Sequence, residues 1–590
     1  MNGRRLEQHY RRLLALYPQR DAITTLQVLA DALCCSKRHM RAMLVKMQEA
    51  GWLEWHASPG RGHKARLILL SNEHQLLLGK AEHLLDIGDL SGAASLLGNE
   101  KNLVASLLRA RLGYNVRDDY QSLRVPYYRT MLNLYPGTPL RRSELHLVRQ
   151  LFNGLTRISE ESGNVEKDLA HYWHNIDPLH WRFYLRPGVQ FHDGRGLTSQ
   201  DVVVSLMRSA RLPLFSHIRQ VTEQGTLSVL IELTQPDELL PQLLTDAAAM
   251  ILPADHGSRV DFSSHPVGTG PYRVCDNDEW HLRMCAFDNY FGFRGLLDEV
   301  EVIIWPDLAP DHHDLRKPDL PVPSAWLSSS LSDIDYASGL AASLSGKPSD
   351  FSQEMFLEQG GYFLLCDARS PRWQTIECRR WIREKLNPYL LVQHFIEPVR
   401  PFWVPAISLL PGWFHSLESG DVVHPFSHEA PGNLPAVLRL AYHRQHPEYP
   451  MLVEQMQKIL GGEGVHLEIV QLDYEQWAKG EGEADLWLGT VNFPVPEAWN
   501  VGAWLSGMPL LQHSISGGNP DIFNAWQKQW REGSLSANQL TQNVIGQGWL
   551  QPLFHHWMRL KGPEQAQGIH LNNLGWFDFK STWMEPGPGQ

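Results

Sequence analysis

The chain has 590 residues, 43% hydrophobic and 20% charged, which suits several globular domains and excludes a disordered or fibrous protein. A formal charge of −12 excludes a uniformly basic nucleic-acid binder, yet residues 1–70 hold twelve Lys and Arg against five Asp and Glu, leaving −19 on the remainder. No run of roughly 18 apolar residues is present to span a membrane, and Leu13-Leu14-Ala15-Leu16-Tyr17 is too short for a secretion signal, so a cytoplasmic location is expected.

Leu6, Tyr10, Leu13, Leu14 and Tyr17 predict a first amphipathic helix. Thr24-Thr25-Leu26-Gln27 has the form of a capping box, and Leu26, Leu29, Ala30 and Leu33 follow at helical spacing. Cys34-Cys35 ends that pattern, and Ser36 can cap a second helix through its hydroxyl. There Met40, Met43, Leu44 and Met47 repeat the core spacing, while Lys37, Arg38, Arg41, Val45 and Gln48 share another face. Gly51 supplies the stop, and residues 52–55 and 66–69 read as a hairpin around a basic, glycine-rich tip.

Two short helices and a basic hairpin make a winged helix-turn-helix pattern over residues 1–72. A helix in the major groove presents donors to base edges, so Ser36, Lys37, Arg38, Arg41, Val45 and Gln48 are candidate contacts to double-stranded operator DNA. Arg61 and Lys64 suit phosphate contact from the wing. The same fold also serves as a protein-docking module, and that alternative stays open. Helices at 74–86, 90–97 and 102–112 form an expected connector over residues 73–113, a spacer or a dimer contact. A homodimer would suit paired half-sites, although no heptad run supports one.

From residue 114 onward strands alternate with helices. A helix is expected over 142–154, and Arg182-Phe183-Tyr184-Leu185 alternates as a strand. Thr198 with Asp201 makes a second capping-box-like start, to a helix reaching Arg208. Residues 265–272 (His-Pro-Val-Gly-Thr-Gly-Pro-Tyr) read as a glycine-proline hinge and not as a phosphate loop. Residues 306–323 read as a surface loop, and 586–590 as a disordered tail. Residues 438–442, 451–460 and 466–471 make a strand-helix-strand unit, followed by a short helix at 474–479 and a strand at 485–488, which argues for a parallel or mixed sheet.

The six cysteines include no Cys-x-x-Cys pair and read as reduced thiols without a disulfide framework. His171 with His174, His312-His313 and His555-His556 are pairs that 28 histidines produce by chance, so no metal and no cofactor is expected. No nucleophile-elbow, metalloprotease or nucleotide-loop motif is present, and nothing positive supports an enzyme.

Three stretches carry a resemblance. Residues 185–194 (Leu-Arg-Pro-Gly-Val-Gln-Phe-His-Asp-Gly), 198–202 (Thr-Ser-Gln-Asp-Val) and 266–272, followed by 288–300, resemble the solute-binding proteins of oligopeptide and dipeptide transporters. The resemblance implies a two-lobed, type II periplasmic-binding-protein-like body over residues 114–590, closing on a ligand in its cleft. With the winged head, the expected architecture is multidomain, α+β and α/β. That arrangement, with residues 35–41, 52–55, 60–62, 141–144 and 574–580, resembles the SgrR-type transcriptional regulators. Such regulators sense sugar-phosphate stress in the cytoplasm, activate a small regulatory RNA gene and repress their own gene.

In the transporter binders, a Trp and an acidic residue tend to follow the strand matching 485–488, and the carboxylate pairs with a peptide's amino group. Here Asn492 occupies that segment and no carboxylate comes until Glu497, which suits a hydroxylated or anionic ligand such as a sugar phosphate better than a free peptide. Trp487 and Trp499, next to that strand, are the aromatic candidates for stacking on the ligand. The alternative is a cytoplasmic solute- or peptide-binding protein whose head docks a protein partner.

Overall fold

The computed structural model describes residues 3–56, 64–86, 89–97, 113–117, 120–127, 129–304, 335–337, 351–395, 400, 403–416, 435–444, 446, 448–563, 566–568 and 572–584. The expectations for Arg61 at the wing tip, for the helix at 102–112, for 306–323 with His312-His313, and for 586–590 lie outside these residues. Contacts divide the chain into two compact units, Met1–Ala110 and Arg111–Gln590.

The first unit contains α1 (Gly3–Leu16), β1 (Asp21–Thr24), α2 (Leu26–Ala32), α3 (Lys37–Glu49), β2 (Leu53–His56), β3 (Ala65–Leu69), α4 (Glu73–Asp86) and α5 (Leu90–Leu97). The apolar stripes meet as their spacing requires: Tyr10 and Leu13 of α1, Leu29 of α2, and Met40, Met43 and Met47 of α3 are fully buried together. Each such side chain contributes about 1.5–3 kcal/mol of transfer free energy. Leu76 of α4 joins this core and Lys80 pairs with Glu7, so α4 packs into the head and is no free spacer.

Two details differ from the sequence reading. β1 pairs antiparallel with β3, giving the order β1-β3-β2, and four residues without apolar alternation give no local sign of it. Because Thr24 pairs with Ala65 in that ladder, the cap falls on Thr25, whose hydroxyl accepts from Val28 N–H at 3.3 Å.

The second unit has two lobes. The first lobe begins with β4 (Gly113–Arg117), β5 (Tyr120–Tyr127), α6 (Arg142–Leu151), β6 (Thr156–Ile158), β7 (Val165–Lys167), β8 (Ala170–Asp177) and β9 (His180–Leu185). It continues through α7 (Ser199–Ser209), β10 (Ile218–Glu223), β11 (Ser228–Leu233), α8 (Leu240–Leu243), β12 (Tyr272–Asn277), β13 (His281–Ala286) and β14 (Glu299–Ile304). Its sheets run β12-β13-β14-β5-β4 and β10-β11-β9-β8. Asp201 accepts from the Thr198 N–H and O–H, both at 2.9 Å, which starts α7 where expected.

His192 joins two of the stretches read above. Its Nδ1 accepts from Gly268 N–H at 3.1 Å and its Nε2 donates to Gly270 O at 3.0 Å. A Cβ on Gly268 or Gly270 would collide with the Leu151 backbone, so the apparent hinge is a close-packed strap over the end of α6. α6 itself stops at Leu151, short of Gly154, which packs between the carbonyls of Leu244 and Thr156. One disulfide, Cys275–Cys285, joins β12 to β13 (Cα–Cα 6.3 Å), where six reduced thiols were expected. Cys275 lies at a register shift between Val274 and Asp276, which spacing does not disclose.

The second lobe holds β15 (Asp335–Ala337), β16 (Phe351–Leu357), β17 (Gly360–Cys366), α9 (Ile376–Lys385), α10 (Pro388–Leu391), β18 (Trp403–Pro405), β19 (Val437–His443), α11 (Tyr449–Gly462) and β20 (His466–Leu472). It ends with α12 (Tyr474–Lys479), β21 (Leu486–Asn492), α13 (Glu497–Gly507), α14 (Pro509–Ser516), α15 (Pro520–Arg531), α16 (Ala537–Gly546) and β22 (Leu550–Pro563). Its sheet follows the path β15-β22-β17-β21-β19-β20, with β19 parallel to both β20 and β21, as the strand-helix-strand unit requires. The chain then returns to the first lobe: Trp576, Phe577 and Phe579 are buried in its core, and Phe579 O accepts from Tyr272 O–H at 2.9 Å. No helix of the described residues is long and apolar enough to cross a membrane.

Candidate functional site

In the first unit, the Ser36 hydroxyl accepts from His39 N–H at 3.2 Å and opens α3. Lys37, Arg38, Arg41, Val45 and Gln48 are all exposed, opposite the buried Met40, Met43, Leu44 and Met47. Among the described residues, Lys37, Arg38 and Arg41 make no ion pair, so no carboxylate competes for them. Gln48 is partly committed: its Oε1 accepts from Trp55 N–H at 3.1 Å, leaving its amide N–H groups to contact anything else. Lys64 is exposed at the base of β3. Val45, 51% exposed, is an apolar side chain in the middle of this basic face, the type that meets a thymine methyl.

In the second unit a cavity of about 520 Å³ opens between the lobes, within the range of small-molecule sites. One wall is α6 and the segment before it. Arg142, Leu145 and Arg149 line it at i, i+3 and i+7, the spacing of one helical face, and Arg129 and Arg141 stand beside them. The facing wall is the carboxyl end of β21 (Thr490, Val491, Asn492) with Glu358, His443 and His446. Tyr474 bridges the two walls: its O–H donates to Leu140 O at 3.1 Å, and the Arg141 guanidinium sits 4.5 Å from its ring centre.

The electrostatics are set by burial. Arg129 grips Glu144 with both terminal nitrogens. Burial alone would raise the Glu144 carboxyl, but Arg129 and then Arg141 overcome it and hold it below the usual range. Burial pulls the Arg149 guanidinium below its ordinary range, while Glu160 and Asp246 act in the opposite sense, and among the described residues it makes no ion pair. His443 and His446 are held well below the ordinary imidazole range, first by burial and then by the arginines. At neutral pH the cavity therefore carries guanidinium charges beside neutral imidazoles, a setting for forked contact to a phosphate or carboxylate.

Of the ligand residues expected from sequence, the structure brings only Asn492 to the cavity. Trp487 is fully buried in the lobe core, its indole N–H donated to Asp367 Oδ2 at 2.7 Å. Trp499 packs on Trp530 (ring centres 5.6 Å apart) against the core of the first lobe. Trp504 lines the cavity instead. Glu497 turns away and accepts from Asn573 at 2.6 Å, while a carboxylate reaches Asn492 from another strand: the Asn492 amide donates to Glu358 Oε2 at 2.9 Å. The sequence reading gives these arginines no ligand role, although Arg142-x-x-Leu145-x-x-x-Arg149 carries a legible helical spacing.

Comparison with known proteins agrees with both units. Residues 5–119 match the family model described as Sugar transport-related sRNA regulator N-term, and residues 164–315 match Bacterial extracellular solute-binding proteins, family 5 Middle. The chain is 41% identical over 587 residues to the HTH-type transcriptional regulator SgrR of Yersinia pestis (strain Pestoides F), covering 99% of this chain and 100% of the relative. It is 40% identical over 586 residues to the protein of that name from Salmonella typhi, with the same coverage. Among solved structures, the oligopeptide-binding protein AppA from Bacillus subtilis superposes with a TM-score of 0.60 at 15% identity, over 79% of this chain and 99% of that one. NikA from Brucella suis does so with 0.60 at 14% identity, over 79% and 100%. At such identities the likeness is one of fold.

Proposed function

The chain belongs to the SgrR family of helix-turn-helix transcriptional regulators, and on that premise we propose that it is a cytoplasmic regulator whose affinity for operator DNA is set by an anionic metabolite, a sugar phosphate, bound between the two lobes of its body. The Lys37–Arg38–Arg41 face of α3 reads the operator, with Val45 and Gln48 beside it, and Lys64 and Arg61 contact phosphates from the wing. In sugar-phosphate stress it activates a small regulatory RNA gene that limits sugar uptake, and it represses its own gene. It acts by binding, without turnover.

The observation that carries this reading is the set of three arginines, Arg141, Arg142 and Arg149, beside the Arg129–Glu144 pair on one wall of a cavity whose opposite wall offers Asn492 and Thr490. Guanidinium forks match phosphate geometry, and the neutral amide and hydroxyl suit sugar hydroxyls. A ligand moves an equilibrium only by its differential affinity for two states, so DNA-competent and DNA-incompetent forms must differ in how they hold it. Thermal shift of the full-length protein tests the ligand class. Glucose 6-phosphate at a hundred times its Kd should stabilise by about 2.7 kcal/mol, and glucose or a dipeptide should give no comparable shift. A shift with the dipeptide and none with the sugar phosphate would move the reading to a peptide binder.

A further inference from the structure

The turn between β16 and β17 places a carboxylate of which one oxygen has no hydrogen-bond partner among the described residues. Glu358 is 4% exposed and lines the cavity. Its Oε2 accepts from the Asn492 amide at 2.9 Å, whereas its buried Oε1 has no hydrogen-bond partner among the described residues. Burial is the main force on it and pushes the carboxyl up to about 7, against the Asn492 hydrogen bond and the Arg142 charge. A buried carboxylate oxygen left unpaired is costly, so a site that keeps one is organised to receive a donor.

The backbone around Glu358 is built to hold it there. Gly360 and Gly361 have φ of +137° and +152°, and a Cβ on either would collide with a carbonyl oxygen, of Val491 in β21 or of Phe554 in β22. Only glycine lets β17 press this closely between its two neighbours. The Glu358 N–H donates to His556 O at 3.1 Å, and Phe493 N–H donates to Gln359 O at 2.7 Å, fixing the turn on both sides. The carboxylate is thus locked to the end of β21, facing the wall that carries Arg142 and Arg149, which lie two helical turns or ~10 Å apart along α6.

We propose that Glu358 is the specificity determinant of the cavity: its Oε1 accepts a hydrogen bond from a hydroxyl of a ligand whose anionic group is held by Arg142 and Arg149, so that the site selects a hydroxylated organic phosphate over a simple anion. This rests on the sugar-phosphate reading above and adds the residue that discriminates. Asn492 fixes the orientation of the carboxylate, and the unpartnered oxygen tests what stands beside the anion. Losing a hydrogen bond to this buried acceptor costs about tenfold in affinity.

The test is calorimetric titration of full-length wild-type protein and of Glu358→Gln with glucose 6-phosphate and with inorganic phosphate. In Glu358→Gln the Asn492 amide still finds an oxygen, and the second position becomes an N–H group that cannot accept. Wild type should prefer glucose 6-phosphate over inorganic phosphate at least tenfold. The variant should lose about tenfold or more for glucose 6-phosphate while its inorganic phosphate affinity stays within about twofold. Glu358→Asp, which keeps the acceptor on a shorter arm, should retain part of the preference, and wild-type-like far-ultraviolet circular dichroism and melting temperature show that each variant is folded. Binding by wild type with an unchanged preference in Glu358→Gln overturns the role of Glu358 alone. No binding of either probe by wild type overturns the sugar-phosphate reading and this assignment with it.

Discussion

Arg129 and Glu144 form a two-pronged, buried ion pair at the edge of the cavity, while Arg149, on the same wall, has no ion-pair partner among the described residues. The two arginines should therefore fail in different ways. Arg149→Gln should leave the melting temperature within about 2 °C of wild type and weaken glucose 6-phosphate binding by tenfold or more, the loss of a charge-assisted contact. Arg129→Ala should cost about 3–5 kcal/mol in urea unfolding, because it strands a buried carboxylate. If Arg149→Gln binds the sugar phosphate as wild type does, the cavity wall is not the anion site.

Replacing Arg38 and Arg41 together by Ala should abolish operator binding in gel-shift titration, since a base-reading arginine contributes about 1–3 kcal/mol. Both side chains are exposed, and the helix is held by Met40, Met43 and Met47 on its other side, so circular dichroism and stability should not change. Lys64→Ala should weaken all DNA sequences alike and reduce the salt slope of log K by about 0.9. Retained operator binding in the double variant would favour a head that docks a protein partner.

His192 predicts the direction of acid sensitivity. Burial is the main cause that holds its imidazole at about 4 in the folded protein, below the ordinary 6.5. The folded value is the lower one, so the unfolded chain binds more protons between the two, and stability falls as pH drops from 6.5 through 4. Protonation at Nδ1 would also remove the acceptor for Gly268 N–H and loosen the strap over α6. His192→Gln keeps an acceptor and a donor but cannot ionise. Urea midpoints measured from pH 7 to pH 4 should decline less steeply in this variant than in wild type, and an equal decline would remove His192 from the acid response.

Gly360→Ala should destabilise the body by more than about 2 kcal/mol, because it combines a disfavoured positive φ with a collision against the Val491 carbonyl. Urea denaturation followed by tryptophan fluorescence reads this directly, with Gly412→Ala, where nothing lies within 4 Å of the new Cβ, as the control.

What the sequence disclosed and what it hid divide along the range of the interactions. The stripe of Met40, Met43, Leu44 and Met47 fixed which side of α3 faces the core, because helical periodicity is local. The α12 helix at Tyr474–Lys479 and the parallel pairing of β19 with β20 follow from patterns contained in a few tens of residues. β1 was hidden because its reason for being a strand lies in β3, over forty residues away. Trp487 was misplaced because alternation along β21 does not say which face meets the cavity. Glu358 was invisible for a similar reason: its position depends on Gly360 and Gly361 fitting between β21 and β22, a contact that joins three distant parts of the chain.

The measurement that bears most directly on the account is the occupancy by the full-length protein of the DNA upstream of its own gene, at fixed salt, with and without saturating glucose 6-phosphate. Linkage requires that the ligand shift the DNA midpoint and that the DNA shift the ligand's Kd by the same factor, about 5–150-fold for a coupling of 1–3 kcal/mol. A matched, reciprocal shift that disappears in Arg149→Gln is expected if the cavity ligand sets DNA affinity. A DNA midpoint that stays put while calorimetry shows the cavity filled would contradict it.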